Sequence, residues 1–476
     1  MSRSISFLFF GIAALALAGC AQNPVTGQQD FVMMSEAQEI SLGRQADADV
    51  RKQYKAYPNP ALQTYVDRVG QDLAKHSHRN NLRYRFTVLD SPEINAFALP
   101  GGYVYITRGI MAYLNSEAEM AAVLGHEIGH VTARHGVRQQ SASQATNLGI
   151  QLASILVPEL NNQAFHDVSN LLGGALLSGY GREHELESDR LGAQYLARTE
   201  YDPQAMIRVV GVLKNQELFD AEIAKQEGRE PRRYHGTFAT HPDNDTRLQQ
   251  VVGEAKTLTV VDPAEKREEY LHQTAGLIFG DSVDEGVVRD NRFMHRDLGI
   301  TLTFPADWSV KNLPTQLVAL SPNNDALLQF MLDPKPSGTV VEYARSKLGR
   351  NAKIETVQID GHTAALGEID NTLLGVIHDA GRAFLIQGNT KAAQTFAANR
   401  AAMEATIRSF KTLSAEERKQ IKPLTLQLVT AKKGDTYAAL AQRSPLGRNA
   451  ERYLRLINAQ YPQGEPVAGQ LMKVVE

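Results

Sequence analysis

The stretch His126-Glu127-Ile128-Gly129-His130 constrains this chain more than any other feature. Two imidazoles four residues apart converge on one point only when the backbone between them is α-helical, because residues i and i+4 share a helix face. The motif therefore demands a helix. Ser116, followed by Glu119, supplies the start signal of a capping box for it. Glu127, beside the first histidine, can reach a metal's water without ligating the metal. Gly125 and Gly129 keep the helix face small, so that another element can pack close. A catalytic zinc site wants a third protein ligand and one open position. The residues offer His135, His184, Glu185, Glu187 and His241 for that place. His135 lacks the glycine and spacing of the longer H-E-x-x-H-x-x-G-x-x-H pattern, which disfavours that class.

A chain of 476 residues exceeds one ordinary core, so two to four domains are expected. With 43% hydrophobic and 22% charged residues it has material for a core and a solvated surface. A net charge of -3 gives no electrostatic case for nucleic acid as a partner. The single cysteine, Cys20, excludes an intrachain disulfide and a thiolate zinc site, so any metal falls to histidines and carboxylates. Residues 1–19 read as a signal peptide: Arg3 precedes an apolar run, Ile5 to Ala18, shorter than the roughly 20 residues a membrane-spanning helix needs. The run ends in Leu17-Ala18-Gly19-Cys20, which resembles a bacterial lipobox. That resemblance implies cleavage before Cys20, lipidation of Cys20 and, with Ala21 next, an outer-membrane lipoprotein facing the periplasm.

Residues 20–34 are polar and read as a lipidated tether. The stretch 61–75 places Leu62, Val66, Val69 and Leu73 on one helical face. Tyr84, Phe86 and Val88 alternate with Arg83, Arg85 and Thr87 as in a half-buried strand, and Pro100-Gly101-Gly102 turns the chain into a second strand, YVYIT. An apolar segment at 146–177 fits a lid or core. Helices are expected at about 185–198, 204–219 and 263–274, with Asp202-Pro203 starting the second and a charged loop at about 220–235 following it. Beyond about residue 290 short strands dominate: GITLTF, LVALS, ALLQFML, ETVQI and RAFLIQ, with helices at about 340–348 and 393–409.

HEIGH, followed by Glu185-x-x-x-Asp189 on a later helix, resembles the M48 family of gluzincin metallopeptidases. Asn95-Ala96-Phe97-Ala98-Leu99-Pro100-Gly101-Gly102 and Thr240-His241-Pro242 with Arg247 carry the same resemblance, which covers about residues 25–275. It implies a zinc-dependent endopeptidase with one Zn2+ per chain, held by His126, His130 and Glu185, with Glu127 as general base. Glu187 lies about 200° around a helix from Glu185, so only one of the two can readily face the metal. Ser188 stands where relatives usually carry Ala. Asp189, one turn past Glu185, is expected to fix a ligand histidine through its free ring nitrogen or to act as proton donor. His241 and Arg247 are expected as oxyanion donors, with His241 alternatively at the open metal position. Asn95, Ala96, Phe97 and Ala98 are expected at an exposed sheet edge, where an extended substrate adds by backbone hydrogen bonds and its sequence matters little.

The expected fold class is α+β. A mainly helical gluzincin domain with a small sheet spans 35–275, an α/β sandwich 285–413, and a small βααβ module 425–476. The sandwich resembles the PsbP/Mog1 type through LGITLTFPADW and IRSFKTLS. The last module resembles LysM through Lys433-Gly434-Asp435-Thr436-Tyr437, Leu456-Ile457-Asn458 and Gly469-Gln470-Leu471. LysM modules bind glycans containing N-acetylglucosamine, which implies peptidoglycan as a partner. The expected substrates are unfolded or misassembled envelope proteins. Two other readings are a chaperone-like assembly factor with a gated metal site and a peptidoglycan-tethered scaffold.

Overall fold

The computed structural model describes residues 20–144, 181, 183–227, 253, 255–313 and 316–476. Two compact units emerge. One comprises the described residues within Met1–Phe219, Arg233–Leu277 and Thr425–Glu476, the other those within Asp220–Arg232 and Ile278–Leu424. Among the described residues no helix is long and apolar enough to cross a membrane. The signal segment 1–19 and the apolar segment 146–177 lie outside the described residues.

In the first unit, residues 20–31 fold back on themselves. Cys20–Gln22 pairs antiparallel with Gln29–Phe31, and buried Asn23 closes the turn by accepting the N–H groups of Val25 and Thr26. A stretch read from polarity as a tether is thus a hairpin, because one buried asparagine satisfies a turn that composition does not reveal. Helix α1 (Glu36–Gln53) starts on a full capping box of Ser35 and Gln38. Helix α2 (Pro60–Lys75) is capped by Asn59 with Pro60 at its first position, and buries Leu62, Val66, Val69 and Leu73, the face read from periodicity.

The small sheet has strand β1 (Arg85–Leu89) parallel to β3 (Tyr103–Thr107), with β2 (Ala96–Leu99) antiparallel to β3 at the edge. Gly101 and Gly102 have φ of +80° and +89°, a conformation that side chains with a Cβ resist, and so make the tight return from β2 to β3. Helix α3 (Glu117–Thr132) packs beside the edge strand β2. A left-handed Arg134, φ +57°, breaks the chain after α3, and a new helix over 135–144 begins at His135. Helix α4 covers 183–198.

The helix expected to end near 219 runs Ala205–Glu227, so part of the charged stretch read as a loop is helical. Charge alone does not stop a helix, and this stretch has no glycine or proline before Gly228.

Thr425–Glu476 belongs to this first unit and runs strand, helix, helix, strand, through Leu424–Thr430, Tyr437–Ala441, Ala450–Ile457 and Leu471–Val475. Lys473, fully buried, donates to the carbonyls of Ala112 (2.7 Å) and Leu114 (2.8 Å), just ahead of α3.

The second unit is built on a seven-stranded antiparallel sheet. Its spatial order is Ser309–Leu313, Gln316–Leu320, Ala326–Asp333, Arg382–Thr390, Thr372–Asp379, His362–Ile369, Lys353–Ile359. Two-residue turns join the last four, pairing Ile359 with His362, Ile369 with Thr372 and Asp379 with Arg382. Successive residues point to opposite faces. Leu374 and Val376 pack with helix Val340–Leu348, while Leu373 and Ile377 pack with helix Ala393–Arg408 and Trp308. A four-stranded sheet of Val287–Arg289, Arg292–His295, Ile300–Thr303 and Lys411–Thr412 completes the unit. The described residues form an α+β protein.

Candidate metal centre

The position of α3 is fixed at its start. Ser116 Oγ accepts the Glu119 N–H at 3.2 Å, but the Glu119 carboxylate accepts from Asn115 (2.6 Å), one residue earlier than a capping box requires. Only half of the expected box forms. Buried Glu117 in the first turn meets Lys266 at 2.8 Å and Arg68 at 3.0 Å, and its negative charge suits the positive end of the helix dipole.

Glycines then let α4 approach α3 at backbone distance. A Cβ on Gly125 would lie 3.3 Å from the Cα of Gly192, and one on Gly129 would lie 3.0 Å from the Cα of Ser188. On Gly192 it would meet the His126 nitrogen at 3.0 Å. Ser188 tolerates this crowding because it is small, and its hydroxyl lies 3.2 Å from His135 Nδ1. The glycines flanking the histidines thus do the work the sequence suggested.

Close approach brings three side chains to one point. His126 Nε2 and His130 Nε2 are 3.0 Å apart. Glu185 Oε2 is 3.5 Å from His126 Nε2, and Glu185 Oε1 is 3.4 Å from His130 Nε2. Three ligand atoms bound to a tetrahedral zinc at about 2.0–2.1 Å would be roughly 3.3 Å from one another. The donor set also suits zinc: two imidazoles and one carboxylate, His126 and Glu185 buried and His130 partly so. Among the described residues these three form the group able to hold a metal ion.

Asp189, on the same helix as Glu185, places Oδ1 2.8 Å from His126 Nδ1. It holds the ring so that Nε2 faces Glu185. Burial lowers the proton affinity of His126, but Asp189 and Glu185 outweigh it and raise the pKa to about 10. The pocket thus carries an excess of negative charge that a cation satisfies. Glu127 is 2% exposed, so its carboxylate sits in a nearly dry site.

The other third-ligand candidates are placed elsewhere. His135 Nδ1 lies 3.0 Å from His130 Nδ1, on the ring's far side from Glu185, and its Nε2 lies 2.9 Å from Glu187 Oε2. His184 stacks on His135 with ring centroids 4.1 Å apart. Burial lowers the pKa of both rings, that of His184 to about 4, and the charge of Arg138 adds to the effect. Both are therefore neutral at physiological pH. His241 and Arg247 lie outside the described residues.

Asn95 is buried and precedes β2. Its N–H donates to Thr107 Oγ1, and its carbonyl accepts the Thr107 N–H at 2.9 Å. Ala96 is buried, while Phe97 and Ala98 are half-buried, Phe97 stacked on Tyr105 at 4.8 Å. In the described sheet, β2 pairs with β3 on one side only.

Sequence reasoning missed the buried set that supports α3 from outside the motif. Arg79 donates to Glu39 (2.7 Å) and to the Val131 carbonyl (3.0 Å), and Arg134 donates to Glu39 (2.9 Å). Nothing local marks these residues, since their partners lie far along the chain.

Residues 60–255 match the model of the family described as Peptidase family M48. The chain is 28% identical over 334 residues to the beta-barrel assembly-enhancing protease of Yersinia pestis, covering 65% of each chain. It is 29% identical over 185 residues to the mitochondrial metalloendopeptidase OMA1 of Schizosaccharomyces pombe, covering 38% of this chain and 54% of that one. The chain thus spans less than two thirds of the length of either relative. The solution structure of cyanobacterial PsbP from Synechocystis is similar to 27% of this chain and 95% of its own, with TM-score 0.21 and 16% identity. The family match and the named relatives support a metalloendopeptidase.

Proposed function

We propose that this chain is a zinc metalloendopeptidase of the bacterial envelope, acting on unfolded or misassembled outer-membrane and periplasmic proteins. The convergence of His126, His130 and Glu185 from two helices, with nitrogen and oxygen atoms 3.0–3.5 Å apart, carries the reading. His126, His130 and Glu185 would hold the zinc. When bound, zinc supplies a Lewis acid and brings the pKa of water down to about 7.

The remaining work falls to the chain. Glu127, next to the first ligand, takes the proton of the attacking water and passes it to the leaving amine. Its burial keeps bulk water from competing for that proton. Asp189 positions His126. The side of β2 that no described strand pairs with, around Ala96, Phe97 and Ala98, takes an extended polypeptide by main-chain hydrogen bonds, which suits substrates recognised by being unfolded. His241 and Arg247 are assigned to the oxyanion.

The name of the Yersinia relative supports an envelope setting and outer-membrane protein substrates. Cys20 is the proposed lipid anchor to the outer membrane. Residues 425–476, with their βααβ order, are the proposed peptidoglycan contact, and 285–413 a PsbP/Mog1-like domain.

Glu127→Gln tests the reading on an unfolded protein substrate. Cleavage should vanish while one zinc per chain remains bound. Cleavage that survives the substitution removes Glu127 from the mechanism.

A further inference from the structure

Two residues that compete on paper for the third ligand position, His135 and Glu187, meet each other instead. We propose that they form a hydrogen-bonded relay that orients the second ligand, His130, as Asp189 orients the first; the inference rests on the zinc reading above.

With zinc held by His130, one arrangement of protons satisfies the contacts among the described residues. His130 turns Nε2 toward the ligand corner, 3.0 Å from His126 Nε2 and 3.4 Å from Glu185 Oε1; as a zinc ligand it gives the ion that lone pair, which leaves its proton on Nδ1. His135 Nδ1, 3.0 Å away, accepts that proton. His135 must then carry its own proton on Nε2, which donates to Glu187 Oε2 at 2.9 Å. Arg138 reaches the same oxygen at 3.1 Å and keeps the carboxylate in place. The Ser188 hydroxyl is a second, longer donor to His135 Nδ1 at 3.2 Å.

The surroundings favour a fixed relay. His135 is 3% exposed, and the His184 ring lies nearly parallel on it, 11° between planes, so water has little access to the bonds. The left-handed turn at Arg134 sets this geometry: it ends α3 and swings His135 back until its ring centroid is 5.0 Å from that of His130. Arg134 is held in turn by Glu39. Glu187 faces away from the ligand cluster because it lies two residues past Glu185, yet acts on the site through His135. His135 and Glu187 are positioning residues: they touch neither substrate nor the ion.

Partners that fix a ligand histidine are typically worth about ten- to a hundredfold in metal affinity. The test uses the full chain with ¹⁵N-labelled histidine. Zinc affinity is measured by chelator competition, and the His130 tautomer is read by NMR on zinc-free protein, with His126 as internal reference. Wild type should show His130 as the Nδ1–H form. His135→Phe should bind zinc about tenfold or more weakly and lose that single tautomer, while His126 stays unchanged. Glu187→Gln, which keeps the shape, should shift both readouts in the same direction and serves if the phenylalanine variant does not fold. A folded variant with wild-type zinc affinity and the wild-type His130 tautomer overturns the relay. Wild-type protein that binds no zinc overturns instead the metallopeptidase reading beneath it.

Discussion

Gly129→Ala adds one carbon at a close contact between the two helices that build the site. That carbon would stand 3.0 Å from Ser188 Cα and 3.1 Å from the Ser188 carbonyl oxygen. Carbon pairs sit best at about 3.5–4.0 Å, so the backbone of α4 must retreat by roughly half an ångström or more. No flexible side chain is present to yield instead. Overpacking of this kind costs about 1–3 kcal/mol, against a gain of about 1 kcal/mol from the better helix former. The net loss of stability is therefore modest, up to about 2 kcal/mol. The effect on the site should be larger, because Ser188 lies three residues after Glu185 and one before Asp189. Moving it carries the third ligand away from the two imidazoles and loosens the bond that holds His126. Zinc affinity should fall by about tenfold or more. Gly125→Ala is the control: its carbon would lie 3.3 Å from Gly192 Cα, needs only a few tenths of an ångström, and faces no ligand-bearing residue directly. Chelator competition gives the affinities, and urea unfolding of zinc-free protein gives the stabilities. If Gly129→Ala binds zinc as wild type does, or Gly125→Ala is the more damaging change, the helix spacing is not what holds Glu185 in place.

Lys473→Met leaves the buried carbonyls of Ala112 and Leu114 without their lysine donor, at about 1–3 kcal/mol each, while removing an amine that is costly to keep dry. Burial depresses the Lys473 pKa to about 7, with Glu119 opposing the shift. Below pH 7 that burden is fully present in wild type. As pH rises toward the unfolded value near 10.4, the folded chain sheds a proton the unfolded chain keeps, so wild type gains stability over the variant. Urea midpoints at pH 6.5 and 9.5 should diverge in that sense; parallel midpoints refute the assignment. Glu39→Ala removes the buried carboxylate that Arg79 and Arg134 share, leaving Arg79 its pair with the half-exposed Glu36 at 2.8 Å, and should cost about 3–5 kcal/mol. A urea midpoint near that of wild type would refute the assignment of Glu39 as the carboxylate that holds both arginines.

Much of the first unit was legible because its signals are periodic. Leu62, Val66, Val69 and Leu73 recur at helical spacing and are all buried; Tyr84, Phe86 and Val88 alternate and are buried as well. In the second unit, strands His362–Ile369 and Thr372–Asp379 escaped notice for the converse reason. Both faces of their central residues are covered, so the text reads AALG and LLGVI with no alternation to detect. The hairpin at 20–31 hid behind polar composition, its turn resting on the single buried side chain of Asn23. Lys473 looked like any surface lysine, since its partners lie about 360 positions earlier in the chain.

Sequence by itself limited the candidate ligands to histidines and carboxylates and put two imidazoles on one helix face, because helical pitch is a local property of the backbone. It also confined the third ligand to a handful of histidines and glutamates. Only the tertiary structure decided which side chains meet, setting Glu185 against the imidazoles, turning Glu187 to His135, and joining Asp189 to His126 across 63 positions. Those choices depend on how closely two helices approach, which Gly129, Gly192 and Ser188 set through van der Waals contact between segments that no local pattern relates.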